Sequence, residues 1–149
     1  MKTTATYPTE GKVFELTLDG DAPENQPIEM VKRDGYDNPE SWKHTGLTVT
    51  GTQTRRFKLV SVGYCSTFDE VKAKLAGQGT TPEGQWREAF KAAYPTPDCN
   101  GPIGVADGSW AGPGGRAHFP CVNARGGSDF RCLAYYFNQY WRWLVLVGE

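Results

Sequence analysis

Apolar residues recur along this chain with two different periods, and in its last third they fall in short runs. Residues 12–18 alternate, with Phe14, Leu16 and Leu18 on one side and Glu15 and Thr17 on the other, which is the period of a half-buried strand. Asp19-Gly20-Asp21-Ala22-Pro23 closes that run as a turn. Residues 28–31 read as a short second strand, followed by a loop at Asp34-Gly35-Tyr36-Asp37-Asn38-Pro39. Residues 47–52 and 57–62 read as two more strands joined by a polar turn, and both are rich in β-branched residues. Residues 1–10 read as a loose tail, so 11–62 is expected to be mainly β.

At Thr67 the period changes. Thr67-Phe68-Asp69-Glu70 is a capping box: the Thr67 hydroxyl accepts the N3 amide and the Glu70 carboxylate reaches back to the cap. The helix it opens buries Phe68, Val71 and Leu75 and stops at Gly77. A second helix is expected from Thr81-Pro82-Glu83, with Pro82 at the first helical position and Trp86, Ala89, Phe90 and Ala93 as its inner stripe. Tyr94-Pro95-Thr96-Pro97 ends it. Two helices therefore span 67–94.

Beyond Pro97 no helical period survives. Apolar residues fall in short runs at 103–105, 117–119, 130–133 and 143–147, between stretches of Gly, Pro, Ser and Asn. This predicts short strands separated by long irregular loops. The closing segment 141–148 is apolar on both faces, as a central strand requires, and its expected partner is an N-terminal strand that brings the chain ends together. Trp141 and Trp143, two apart, point to one side of that strand and are expected to pack in the core. One α+β domain accounts for all 149 residues.

Composition changes the picture only in the last third. The first 91 residues hold eight Lys and eight Glu, whereas residues 92–148 contain no Lys, Glu or Met. Small polar residues, Arg and Tyr fill that gap between apolar anchors, a mixture suited to a binding surface: Tyr supplies contact area at low entropic cost while Ser, Gly and Asn adapt their hydrogen bonds. A net charge of −1 and scattered Arg residues argue against nucleic acid. No run is long enough for a membrane span, and the N-terminus leads into no signal-like apolar region. The expected location is the cytoplasm, or a surface reached through a partner.

Candidate chemistry is sparse. The four Cys form no C-x-x-C pair, which argues against zinc, and they are expected to be reduced. Asp34, Asp37 and Asn38 lack the spacing and closing Glu of an EF-hand and read as turn residues. A thiol with His118 and Asp129 would make a nucleophilic site, but four Cys with one nearby His and no family motif make a weak constellation. Gly112-Pro113-Gly114-Gly115-Arg116 reads as a turn and not an anion cradle. No cofactor or metal is expected, and no catalysis.

Phe68-Asp69-Glu70-Val71, Leu75, Gly77 and Thr80-Thr81-Pro82-Glu83-Gly84-Gln85-Trp86-Arg87-Glu88-Ala89 resemble the two-helix segment of the formylglycine-generating-enzyme branch of the C-type lectin fold. The match covers residues 57–95; elsewhere only the order of elements agrees. The resemblance implies two helices packed on short, mainly antiparallel strands with long irregular loops. That branch includes the variable proteins of diversity-generating retroelements, in which adenines of A-A-pyrimidine codons are randomised, so that Lys, Glu, Gln, Met and Trp do not arise at varied positions. Between Val105 and Tyr140 only Trp110 and Gln139 fall on that list.

The resemblance thus implies a variable ligand-binding face over 105–140. Its candidate positions are Gly108, Ala111, His118, Cys121, Asn123, Ala124, Arg125, Ser128, Cys132, Leu133, Ala134, Tyr135, Tyr136, Asn138 and Tyr140, joined by Arg116 and Arg131. The expected function is binding of a protein or cell-surface ligand. Gly126-Gly127-Ser128-Asp129-Phe130-Arg131 blurs the Gly-Gly-Ser-Trp and Gly-Phe-Arg signatures of such proteins, and the calcium-dependent sugar motifs are absent. Two other readings stand beside it: an oxidase of the formylglycine-generating type, which requires a matched Cys pair, and a structural interaction protein of a virion or envelope.

Overall fold

A computed structural model describes residues 6–148; the expected tail at 1–10 lies partly outside the described residues. Its described part is not loose, since Thr6 bridges to Thr96 and the Tyr7 ring meets Phe90 edge-on at 5.0 Å. Strand β1 (Phe14–Asp19) follows the expected alternation, and its outward Thr17 hydroxyl bonds that of Thr54 across the strand pair at 2.8 Å.

Residues 28–31 are not a strand. They lie in helix α1 (Pro27–Arg33), with Pro27 in the first turn, Glu29 near the N-terminus and Lys32 and Arg33 in the last turn, which suits the helix dipole at both ends. Met30 and Val31 are buried. After β2 (Lys43–His44), the two strands expected at 47–52 and 57–62 are replaced by one, β3 (Thr52–Val60). Residues 47–51 stay outside it because Leu47 is 79% exposed and the Val49 N–H donates to Gln85 Oε1, not to a strand.

Helix α2 (Phe68–Leu75) begins as predicted: the Glu70 N–H donates to Thr67 Oγ1 at 3.1 Å. The Glu70 carboxylate accepts from the Ser66 N–H, one residue earlier than a capping box implies. Helix α3 (Trp86–Ala93) starts four residues later than the expected first position at Pro82. The chain first winds through three-residue turns, with Trp86 N–H donating to Glu83 O and Arg87 N–H to Gly84 O. Gly84 lies against Trp110 and Pro120, where a Cβ would sit 2.5 Å from the indole, so the sequence approaches α3 as a tight coil. Ala93, assigned to the inner stripe, is exposed.

The remaining strands are β4 (Ile103–Gly104), β5 (Trp110–Ala111), β6 (Ala117–Val122), β7 (Ser128–Cys132) and β8 (Arg142–Leu146). Together they form one eight-stranded sheet in the order β1-β3-β8-β4-β6-β5-β2, with β7 along the other edge of β6. All pairings are antiparallel except β4 with β8. As predicted, β8 is central and buried on both faces. Its antiparallel partner is β3, and β1 lies one strand further out. Three helices on a mainly antiparallel sheet give an α+β architecture.

Three apolar clusters follow from the two faces of the sheet. Phe57, Leu59 and Leu144 pack with Trp86 and Phe90 of α3. Val60, Trp143 and Val145 pack with Phe68, Val71 and Leu75 of α2, joined by Phe119, Phe137 and Trp141. Met30, Val31, Trp42, Trp110 and Phe130 form the third, under α1.

Arg87 joins the α1 cluster to α3 and β7. Its side chain is 1% exposed. The guanidinium donates to both Asp34 oxygens (2.7 and 3.0 Å), to the Asp129 carbonyl (2.8 Å) and, through Nε, to Glu88 (2.7 Å), while lying 5.0 Å from the Phe130 ring centre. Arg33 closes the network on Glu88. Burial opposes the guanidinium charge, but the Glu88 and Asp34 carboxylates more than offset this and hold Arg87 protonated. Removing one member of such a buried pair leaves the other uncompensated, so Arg87→Ala is expected to lower stability by about 3–5 kcal/mol in urea unfolding.

Candidate functional site

The segment after β7 carries six of the seventeen predicted ligand residues, and its backbone is held at its centre. Phe137 and Cys65 exchange two backbone hydrogen bonds, each 2.8 Å. The Phe137 ring is 1% exposed and sits 5.7 Å from each of the Phe119, Trp141 and Trp143 rings. Fixing Phe137 inward turns its neighbours outward: Tyr135, Tyr136 and Tyr140 are 52%, 63% and 59% exposed. Trp141, which follows, is buried and stacks on Trp143 at 5.2 Å with the rings 19° from parallel. The expected core role of the tryptophan pair is therefore met.

Two adjoining clefts open on this face. One, of about 390 Å³, is lined by Pro102, Asn123, Ala124, Arg131, Tyr135, Tyr136, Asn138 and Trp141. The other, of about 650 Å³, shares Pro102, Ala124 and Asn138 and adds Cys99, Asn100, Gly101 and Tyr140. Asn123, Ala124, Arg131, Tyr135, Tyr136, Asn138 and Tyr140 were all expected from sequence, and the fold brings them together. Arg131 stands exposed with its guanidinium 5.5 Å from the Trp141 ring centre, a cation–π distance.

Two of these side chains also shape the backbone. Asn123 Oδ1 accepts the Arg125 and Gly127 N–H groups at 2.9 and 3.0 Å, which forms the turn between β6 and β7. Asn138 Oδ1 accepts the Tyr140 N–H at 3.0 Å.

Other predicted residues lie elsewhere. Arg116, Cys132, Leu133 and Ala134 border a separate cleft against Thr67, Phe68 and Asp69. Gly108 meets Leu133 in a further cleft beside Asp107 and Glu83. Arg125 is exposed on the β6–β7 turn. Cys121 is not on the face at all: it is 1% exposed, within the α2 cluster. His118 is a strand residue in β6, with its ring 4.8 Å from Trp42 and bonded to the Arg116 carbonyl at 2.9 Å. Ala111 is paired in β5, opposite Lys43 and Ala117. Ser128 accepts from Lys91 Nζ at 2.5 Å.

Sequence reasoning missed Tyr64, whose ring lies 5.9 Å from that of Tyr136 and which is half exposed. It also missed residues 99–102 along the rim. The bridge between Cys65 and Phe137, which joins segments 72 residues apart in sequence, brings Tyr64 to this face. No local pattern announces such a contact.

The geometry bears on the thiol readings. None of the four Cys is disulfide-bonded. Register sets Cys121 opposite Asp129 and Cys132 opposite His118, so the two thiols stand three positions apart on opposite faces of the β6–β7 ladder. They are not a matched pair. Burial pushes the Cys121 thiol up to about 12 and raises that of Cys65 as well, which disfavours the nucleophilic thiolate. The Asp129 carboxylate accepts a hydrogen bond from the Tyr36 hydroxyl and does not orient a histidine.

With this geometry in hand, comparison with known proteins finds no match, whether to a family model, a curated protein or a solved structure. No helix among the described residues is long and apolar enough to cross a membrane.

Below the clefts, Arg142 anchors the start of β8 to Asp98 through two bonds of 2.6 and 2.8 Å. These bonds hold the Asp98 carboxyl below its ordinary value, with help from the Asn100 N–H and against partial burial. A depressed folded-state value contributes stability that is present above the usual aspartate range and is lost as pH falls through it. Asp98→Asn is expected to be less stable than the parent at neutral pH, with the gap closing below about pH 4. Thermal unfolding against pH reads this out, and a gap that persists in acid contradicts it.

Proposed function

We propose that the chain is a ligand-binding module that displays a changeable surface on a C-type lectin-like scaffold, in the manner of the variable proteins of diversity-generating retroelements. One observation carries this reading: Tyr135, Tyr136 and Tyr140 are exposed around Phe137 and Trp141, which are buried. Side chains arranged in this way can be exchanged at little cost in stability, because the residues that hold the backbone are different ones. Arg and Tyr on an exposed concave face also match the composition of interface hot spots.

Three further features support the reading. An α+β domain whose strands and helices lead into irregular loops and a central closing strand supplies the kind of frame this reading requires. Lys, Glu and Met are missing from residues 92–148, while Trp110, Trp141 and Trp143 sit in the core, where fixed codons would be kept. Binding, not catalysis, is the role for which this face is suited, and a protein or cell-surface molecule is the class of ligand. Cys121 leaves the candidate list, since a buried thiol can neither touch a ligand nor be varied freely.

Two outcomes test the proposal. The double change Tyr135→Ala/Tyr136→Ala is expected to leave the melting temperature nearly unchanged, whereas Trp143→Ala should cost about 3–5 kcal/mol through cavity formation; comparable losses from both would refute the separation of face and frame. The flanking DNA should hold a near-copy of the segment encoding residues 105–147, differing at adenines, beside a reverse transcriptase gene. A flank without either removes the retroelement from the reading and leaves the binding face.

A further inference from the structure

The chemistry of the two clefts is one-sided. No Asp or Glu lines either of them. Arg131 is exposed and has no salt bridge among the described residues; its guanidinium is placed by Trp141 alone. The acidic groups nearest in sequence are engaged elsewhere, Asp98 with Arg142 and Asp129 with Tyr36.

The asparagines add to the imbalance. Backbone N–H groups can only donate, so those bonded to Asn123 and Asn138 fix the side-chain oxygen as the acceptor in each case. What each carboxamide has left to offer is its NH2. The face therefore presents a guanidinium, two amide donors and tyrosine hydroxyls, with no fixed anion to receive a cation.

We propose that this face receives an acidic segment of a protein partner, with a carboxylate of that segment on Arg131 between Tyr135, Tyr136 and Asn138. The inference rests on the binding role proposed above and names the ligand chemistry. A planar fork matches a carboxylate through two parallel bonds, and the Trp141 ring beneath it limits the orientations that must be lost on binding. A nucleic acid or sulfated glycan would call for a track of cations. Residues 92–148 contain no Lys, and the chain carries a net charge of −1. The tyrosines supply the flat apolar area that peptide side chains flanking a carboxylate would cover.

The test is selection of a random-peptide library on the immobilised full chain, with a sulfated oligosaccharide and a single-stranded oligonucleotide as competitors. Selected peptides are expected to carry Asp or Glu, and Arg131→Gln should weaken their binding by about tenfold or more. Asn138→Asp should weaken it too. That change keeps the oxygen needed by the Tyr140 N–H and replaces the donor with a negative charge, so the loss should come without a change in melting temperature. Peptides without a carboxylate, indifference to both changes, or displacement by either polyanion in preference to acidic peptide would overturn the assignment. If Tyr135→Ala/Tyr136→Ala abolishes binding while Arg131→Gln does not, the binding face stands and the carboxylate assignment alone falls. Peptides indifferent to all four changes, or no enrichment over bare support, remove both.

Discussion

A guanidinium enclosed by protein must find its partners inside, and Arg87 meets that demand with groups from three separate parts of the chain. Asp34 comes from the end of α1, Glu88 from its own helix and the Asp129 carbonyl from β7. No one of these elements would hold its position alone: α1 is seven residues long and β7 has a single strand neighbour. Their common bond to Arg87 aligns the α1 excursion with the far edge of the sheet. The chain then leaves β7 toward Phe137 from a fixed point.

From there the proposed ligand face is built by alternation, not by a dedicated element. Each inward anchor, Phe137 and then Trp141, commits the intervening side chains to solvent. The tryptophan stack beneath the cleft serves two purposes, since Trp143 belongs to the core of β8 while Trp141 closes the cleft floor and carries Arg131. Asn123 and Asn138 stand between the two roles, with the oxygen of each shaping a turn and the nitrogen left over. Exchange at these two positions would alter the backbone as well as the surface.

The sequence was legible where one period governed a segment without outside help. The β1 alternation, the Thr67 cap and the apolar run of β8 each became the element they announced, because burial on one or both faces decided them locally. It misled where a distant side chain took over the backbone. Val49 turned to Gln85 and ended the strand expected at 47–52, and Gly84 had to fit beneath Trp110, which delayed α3. Residues 28–31 were too short a run for periodicity to tell strand from helix. At the site, residue type found the tyrosines and Arg131, but it could not separate Cys121 from them, since a small residue reads the same in a loop and in a core. Tyr64 and the 99–102 rim belong to the face only through long-range pairing.

Tyr36 has a consequence beyond its place in the α1 cluster. Its hydroxyl accepts the Phe130 N–H at 3.1 Å and donates a hydrogen bond to the Asp129 carboxylate, so the Phe130 N–H in the middle of β7 is no longer free to pair outward. An open strand margin invites a foreign strand to lengthen the sheet, whether from another copy or from a misfolded neighbour. Here that margin is plugged by one phenol. Self-assembly by sheet extension is thereby discouraged at the strand that leads straight into the tyrosine loop, which leaves that loop's side chains as the surface offered for the proposed binding.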